Sequence, residues 1–521
     1  MPPTGKIPMF THLIAHISFW ASLLCLALLF STAGECGAPL EAPAPVEPVQ
    51  VAPGPLAPPQ ERILTPIPQR FDWMRRDVRS NPFLEPLLRL QEVTPRLLMS
   101  ISLVEEYSDN FFLRDLNREE EYRTSLILGT VYRMERGRGF MSLANSLSGS
   151  YDARAEESRV AYANLALNAG YELPRLSLSL SESFIRSDDV QDASSPAVRR
   201  ERRLFTQNSI SPQVRYALTP ITALIGAYTN TLVWNEDEAE NGAPSGANQL
   251  SAEGDSVSHA VRLGLQHRFR PALDSNAGYT FTTIDRANAA DVQSHAVSGD
   301  LTYVINPRTS TLVRAFGTLT DRQQGTTNVS ADETDSQILG VNFGIRRQLT
   351  TSLGAFFSIG PTVVSREDRP TRVFANWEVA LDGAVPITQR TSVSLSTQQG
   401  IRDTAGEIDD VGLVLSQSAT LTLNHSVSRA FLASLFATIS REQLLEDLAT
   451  DVSTQDQDFT LWSTGLRLSY ALSRVWSVSG SYRYQRRDAD VPAVIGDDTS
   501  LGGKYSENRV IFSLTAAFPI F

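Results

Sequence analysis

The stretch DFTLWSTGLRLSYALSRVWSVSGSYRYQRR, residues 458–487, alternates apolar and polar side chains along two arms joined by a short turn. On one face of the two arms lie the large apolar residues Trp462, Leu466, Leu468, Tyr470, Leu472, Trp476, Val478, Tyr482 and Tyr484. Because strand side chains alternate faces with period two, the stretch predicts a β-hairpin with one apolar and one polar wall. Each arm has the ~9–11 residues that a tilted strand needs to cross a bilayer.

The same alternation recurs throughout residues 95–521. The predicted strands are 96–107, 123–133, 138–151, 159–171, 174–186, 203–217, 220–234, 256–269, 271–286, 293–305, 308–321, 336–348, 351–366, 371–383, 388–401, 410–426, 429–441, 458–472, 475–487 and 507–520. A bilayer offers no water to unpaired backbone groups, so membrane-spanning strands must close into a ring. We therefore predict an all-β fold with a single closed antiparallel transmembrane β-barrel of about 20 strands, within a range of 18–20.

The connections between these strands predict the orientation of the barrel. Short turns such as Leu472–Val475 alternate strictly with longer polar loops such as 108–122 and 235–255. Short periplasmic turns and long extracellular loops are the plan of bacterial outer-membrane barrels, and an even strand count puts both ends of the barrel at the periplasmic rim. The alternative, a pair of large soluble β-sandwiches, is disfavoured because sandwich strands are usually shorter.

The segment before the barrel divides into three predicted parts. Residues 1–33 have the apolar run and small residues of an export signal peptide, although acylation at Cys36 or an uncleaved anchor are alternatives. Residues 34–68 are rich in proline and predict an extended periplasmic spacer. Residues 69–94 predict a periplasmic lead or plug segment. The expected location is the bacterial outer membrane, with the N-terminal segment in the periplasm.

The composition disfavours several classes of function. The net charge of −12 argues against a nucleic-acid partner, which requires a basic surface. The only cysteines, Cys25 and Cys36, lie early, so we expect neither a disulfide framework nor a metal or other cofactor. The histidines of the barrel lie on separate strands without evident catalytic partners: His259, His267, His295 and His425. We therefore expect a protein that is not an enzyme.

Strand parity directs a set of charged side chains into the predicted lumen. The set comprises Arg215, Arg262, Arg268, Arg346, Arg467 and Arg483, with Asp300 and Glu378 as acidic counterparts. An arginine-lined pore favours anionic solutes or anionic polysaccharide, since guanidinium binds carboxylate and phosphate. The alternative is that these are ordinary lumen residues neutralised by acidic neighbours.

The last strand has the features of an assembly signal. Its apolar face ends near Phe518, and the chain ends in Phe521, as expected of a strand that the outer-membrane barrel assembly machinery recognises. Phe521 is one position out of register with that face. We expect a bulge at Pro519 to correct this offset.

The first strand carries a resemblance to a known family. The run Glu106, Tyr107, Ser108, Asp109, Asn110 and Phe111 resembles the beta-barrel porins found in exopolysaccharide gene clusters, including those associated with exosortase (PEP-CTERM) systems. The resemblance implies a passive conduit for exopolysaccharide export, with polysaccharide and periplasmic export components as partners. The outer-membrane location implies lipid and lipopolysaccharide as further partners. The alternatives are a general diffusion porin for small solutes and an occluded surface scaffold or adhesion barrel. From the residues alone, Asp109 and Asn110 suit a turn where the strand leaves the bilayer.

Overall fold

The computed structural model forms one ring of strands. It describes residues 96–111, 113, 118–153, 157–187, 204–235, 255–286, 291–323, 335–366, 369–384, 390–403, 413–445, 458–489 and 504–520. The predicted signal peptide, spacer and lead segment, and Phe521, lie outside these residues. No helix in the described ranges is long and apolar enough to cross a membrane.

Twenty strands make up the ring. They are β1 (Leu97–Ser108), β2 (Glu121–Arg136), β3 (Gly139–Asp152), β4 (Glu157–Glu172), β5 (Leu176–Ser187), β6 (Phe205–Thr219), β7 (Thr222–Asn235), β8 (Ser256–Arg270), β9 (Leu273–Arg286), β10 (Asp291–Asn306), β11 (Thr309–Gln323), β12 (Ser336–Gln348), β13 (Leu353–Arg366), β14 (Arg369–Ala384), β15 (Thr391–Asp403), β16 (Leu413–Ser426), β17 (Phe431–Leu444), β18 (Asp458–Ala471), β19 (Trp476–Ala489) and β20 (Tyr505–Ile520).

Each strand pairs antiparallel with the next, and the last strand pairs with the first. β1 and β20 are in register from Leu97–Ile520 to Ser108–Arg509, which closes the sheet. The predicted closed antiparallel transmembrane barrel, including its 20 strands, is confirmed. The pairing passes Leu98–Pro519 without a register shift, so the bulge predicted at Pro519 does not form.

The two faces of the ring differ in chemistry and in crowding. On β1, Met99, Ile101 and Leu103 are each almost half exposed, whereas the intervening Ser102 is buried. Side chains inside a closed cylinder converge and side chains outside diverge, so the exposed apolar face is the outer one. The pattern holds around the ring, and the resulting apolar belt is the surface that a bilayer covers.

Hydroxyl side chains organise three of the turns on the short-turn rim. The oxygens of Thr350, Ser428 and Ser473 each accept hydrogen bonds from backbone N–H groups two and three residues ahead, at 3.0–3.2 Å. These residues occupy the second position of turns that the sequence predicted. A hydroxyl here satisfies N–H groups that the strands leave unpaired.

The opposite rim, which carries the long loops and is called the loop rim, departs from the predicted strict alternation of short and long connections. Three connections there are only two to four residues long, joining β3 to β4, β9 to β10 and β13 to β14. The sequence prediction began the following strands, β4, β10 and β14, two residues too late. Beyond the bilayer both faces meet water, so hydrophobic alternation no longer marks where a strand begins or ends.

Phenylalanines on the inner face lie across glycines of the adjacent strand. A Cβ built on Gly340 would come within 2.3 Å of the Phe316 ring, and one on Gly465 within 2.4 Å of the Phe436 ring. Glycine therefore leaves the space that each ring occupies. These pairs add apolar contact to an inner wall that also carries many polar side chains.

Candidate functional site

The inner wall of the barrel is the candidate functional site. All eight charged residues that the sequence assigned to the lumen lie at inward-facing positions of the register: Arg215 on β6, Arg262 and Arg268 on β8, Asp300 on β10, Arg346 on β12, Glu378 on β14, Arg467 on β18 and Arg483 on β19. They lie in the middle of the strands or towards the short-turn rim.

The sector from β6 to β12 is the most basic part of this wall. The Arg215 guanidinium donates to Gln266 at 3.4 Å, and Arg268 forms a 2.7 Å ion pair with Asp274. Asp300 does not oppose a predicted arginine. It pairs instead with Arg314 of the adjacent strand at 2.5 Å, with both side chains largely buried.

The remaining inward arginines make different contacts. Arg346 lies over the Phe356 ring, with 5.4 Å from its guanidinium carbon to the ring centre. Arg483 donates to Ser463 at 3.2 Å and also bonds Gln485. Arg467 on β18 is ten strands from Arg268 on β8, half-way around the ring. The wall therefore presents guanidinium groups on two opposed sectors.

The sequence run that carried the family resemblance lies at the junction of the first and last strands. The Asp109 carboxylate accepts hydrogen bonds from the backbone N–H and the side-chain amide of Asn508, both at 2.6 Å. Asn110, which is fully buried, donates its side-chain amide to the Ser506 carbonyl at 3.0 Å. Asp109 and Asn110 thus hold the chain where β1 ends, as expected of turn residues.

The same junction continues along the inner face towards the short-turn rim. Glu106 forms an ion pair with Arg509 at 2.6 Å, and the Ser108 hydroxyl donates to Glu507 at 2.8 Å. Lower still, the hydroxyls of Ser102 and Thr515 lie 2.8 Å apart. We call the contacts of residues 106–110 with β20 the closing clasp. It is a structural junction between the first and last strands.

Each histidine of the barrel bonds a hydroxyl on a neighbouring strand. His259 and His295 contact Tyr228 and Tyr279 at 2.8 Å, near the loop rim. His267 and His425 contact Thr222 and Thr391 at 2.9 and 2.8 Å, near the short-turn rim; these eight side chains face outward. Polar aromatic side chains at both rims suit the bilayer interface, where one end of the ring is apolar and the other wet.

The residues predicted for the lumen did not include another group on the inner wall. Arg322 on β11 pairs with Asp403 on β15 at 2.5 Å, and Ser336 on β12 donates to the same carboxylate at 2.8 Å. By alternation along the observed β15, Asp403 belongs to the outer face of its strand. Its contacts with two inward residues reveal a local change in the path of β15, which alternation alone does not signal.

These features define the class of protein. A closed 20-stranded ring with an apolar outer belt, a polar inner wall and both barrel ends at the short-turn rim is an integral outer-membrane β-barrel.

No protein-family model matches the chain, and no curated protein matches it. Among solved structures, the chain is similar to Pseudomonas aeruginosa OpdO, with 14% identity, a TM-score of 0.38, and coverage of 81% of this chain and 97% of that one. It is similar to Acinetobacter baumannii OccAB3, with 11% identity, a TM-score of 0.38 and coverage of 81% and 99%. The outer membrane protein OpdK of P. aeruginosa shares 10% identity with a TM-score of 0.36, covering 81% and 99%.

Proposed function

We propose that the protein is a porin, a passive channel for small water-soluble solutes that favours anions. The observation that carries this proposal is the polar, arginine-rich inner wall enclosed by 20 strands. A ring of this size is too wide for side chains to fill. Guanidinium groups along a water-accessible wall lower the energy of an anion more than that of a cation.

The arrangement of the arginines supports passage along the wall rather than tight capture. Inward guanidiniums occur on β6, β8, β12, β18 and β19, at several heights, instead of converging on one point. Several weak sites allow a solute both to enter and to leave, which conduction requires. Ion pairs such as Arg268–Asp274 keep part of this charge compensated, which suits moderate selectivity.

Reversal potentials in planar bilayers under a potassium chloride gradient test the proposal. The wild-type channel is expected to pass chloride more readily than potassium. The triple variant Arg262→Gln/Arg268→Gln/Arg346→Gln is expected to lower the permeability ratio towards one. A charge-matched control, Arg347→Gln/Arg441→Gln/Arg486→Gln, removes three outward-facing arginines and is expected to leave the ratio unchanged. Equal effects of the two triples, or a folded protein that does not conduct, would contradict the proposal.

A second candidate function is a conduit for an anionic exopolysaccharide. The resemblance of the run from Glu106 to Phe111 to barrel porins of exopolysaccharide gene clusters favours it. Guanidinium groups on two opposed sectors of the wall also suit a chain of carboxylated sugars. Disruption of the gene distinguishes the two functions. Loss of secreted polysaccharide with small-solute uptake unchanged supports the conduit, and the reverse outcome supports the diffusion porin.

A further inference from the structure

The loop-rim ends of β15, β16 and β17 leave the single-layered wall. We call residues 400–403, 413–415 and 444–445 the inturned tips. β14 and β15 pair over eight residue pairs, from Trp377–Gln399 to Ala384–Ser392, whereas every other neighbouring pair shares at least ten. Between Trp377–Gln399 and the loop rim, β14 pairs only with β13, and β15 pairs only with β16. β14 and β15 are therefore not paired with each other along the loop-rim part of their junction.

The outer face of the inturned tips packs against the inner face of the neighbouring wall. Leu413 clusters with Ile338 of β12 and Val364 of β13, both of which point inward, and Ile401 and Leu445 pack against the same group. By parity Leu413 and Ile401 belong to the outer face of their strands. An outer face can meet an inner face only if the tips pass inside the upper wall of β11–β14.

Burial on both faces supports this overlap. Leu413 is 1% exposed and Val414 is 0% exposed, although successive strand residues point to opposite faces. On β1, by contrast, the buried Ser102 lies between the exposed Ile101 and Leu103. Val414 packs with Leu444 and Phe459 on the other side of the tips. The tips are therefore a second layer inside the barrel rather than part of its outer surface.

A polar tie holds this layer in place. The Arg322–Asp403 ion pair joins β11 to β15 across three intervening strands, and both side chains are only 10% exposed. The Ser336 hydroxyl fills a second position on the same carboxylate. On the other face of the tips, Arg402 pairs with the fully buried Glu442 at 2.5 Å. Partly buried pairs of this kind are screened little by salt.

We propose that the inturned tips narrow the loop-rim mouth and set the size of solute that enters, with Arg322–Asp403 as the tie that holds the narrow state. This inference rests on the proposed channel function. Removing the Asp403 charge leaves Arg322 inside the barrel without the Asp403 carboxylate. This favours movement of the inturned tips towards the unpaired part of the β14–β15 junction. The mouth then widens, while the ring of strands below is unchanged.

Polymer exclusion in planar bilayers tests the proposal. The largest polyethylene glycol that lowers conductance when added at the loop-rim side reports the width of that mouth. Asp403→Asn is expected to raise conductance and to admit larger polymers from that side. The control Asp274→Asn breaks an exposed ion pair at the short-turn rim and is expected to leave loop-side exclusion unchanged. Wild-type exclusion in folded Asp403→Asn would overturn the proposal.

A reversible cross-link makes the test independent of stability. In a chain whose natural cysteines are replaced by serine, Ile338→Cys and Leu413→Cys are expected to form a disulfide, since the two side chains share one cluster. When Asp403→Asn is added, the oxidised protein should exclude the same polymers as the wild type, and the reduced protein should admit larger ones. Failure to cross-link would overturn the inturned arrangement. Cross-linking in a protein that never conducts would contradict the channel function while leaving the arrangement intact.

Discussion

Asp109 and Asn508, 399 positions apart in the chain, are joined by two hydrogen bonds of 2.6 Å at the junction where the barrel closes. Every other junction of neighbouring strands is joined by a direct connection along the chain, and this one is not. The clasp around Asp109 therefore substitutes side-chain contacts for a covalent link. This explains why several polar residues of one short run face the last strand.

Loss of the clasp is expected to destabilise the barrel. Asp109→Ala removes two charge-assisted hydrogen bonds and should lower the free energy of unfolding by about 1.5–3 kcal/mol. Urea unfolding in lipid vesicles, followed by tryptophan fluorescence, measures the change. Asp321→Ala, which removes an exposed carboxylate at the loop-rim end of β11, is the control and should unfold as the wild type does. Equal midpoints for both variants would show that Asp109 does not stabilise closure.

The glycine beneath Phe316 is expected to resist substitution. In Gly340→Ala the new Cβ would lie 2.3 Å from the ring, so the ring must move, at a cost of about 1–3 kcal/mol. Gly299→Ala on β10 is the matched control because a Cβ there meets nothing within 4 Å. Combining Gly340→Ala with Phe316→Leu should recover part of the loss. A Gly340→Ala protein as stable as the Gly299→Ala protein would contradict this packing.

Glu182 faces the bilayer near the middle of β5, opposite Leu167 and Ile210. Charged side chains on the lipid face destabilise barrels most at mid-depth, although acids do so less than bases. Glu182→Leu should therefore raise the unfolding free energy in vesicles by about 1 kcal/mol. The unfolding free energy of Glu182→Gln should fall between those of the wild type and Glu182→Leu. A destabilised Glu182→Leu protein would show instead that the carboxylate has a partner on the outer surface.

Alternation in the sequence was sufficient to predict the barrel and the side of each strand that faces the lumen. Within the bilayer one face must be apolar and the other polar. The polarity of each side chain in a strand such as β18 therefore indicates the face on which it lies. The same physics explains the placement of Arg467 between Leu466 and Leu468 at an inward position.

Contacts outside the bilayer could not be predicted in this way. At the inturned tips, Ile401 and Leu413 are apolar on the outer face because they pack against another strand layer, not because lipid covers them. The residues of the closing clasp were recognised as a family resemblance and, at Asp109 and Asn110, as turn residues, but their contacts with the last strand were not predicted. Its partners lie at the other end of the chain, and no local pattern indicates which strand will meet the first.

The central claim is that a closed ring encloses a wet inner face behind a lipid-covered outer face. Single cysteines at the six consecutive positions 261–266 of β8, in a chain whose natural cysteines are replaced, test it most directly. We predict that a membrane-impermeant charged thiol reagent modifies positions 262, 264 and 266, and that a lipid-attached quencher reaches labels only at 261, 263 and 265. Equal modification of odd and even positions, or quenching of the even ones, would contradict the account.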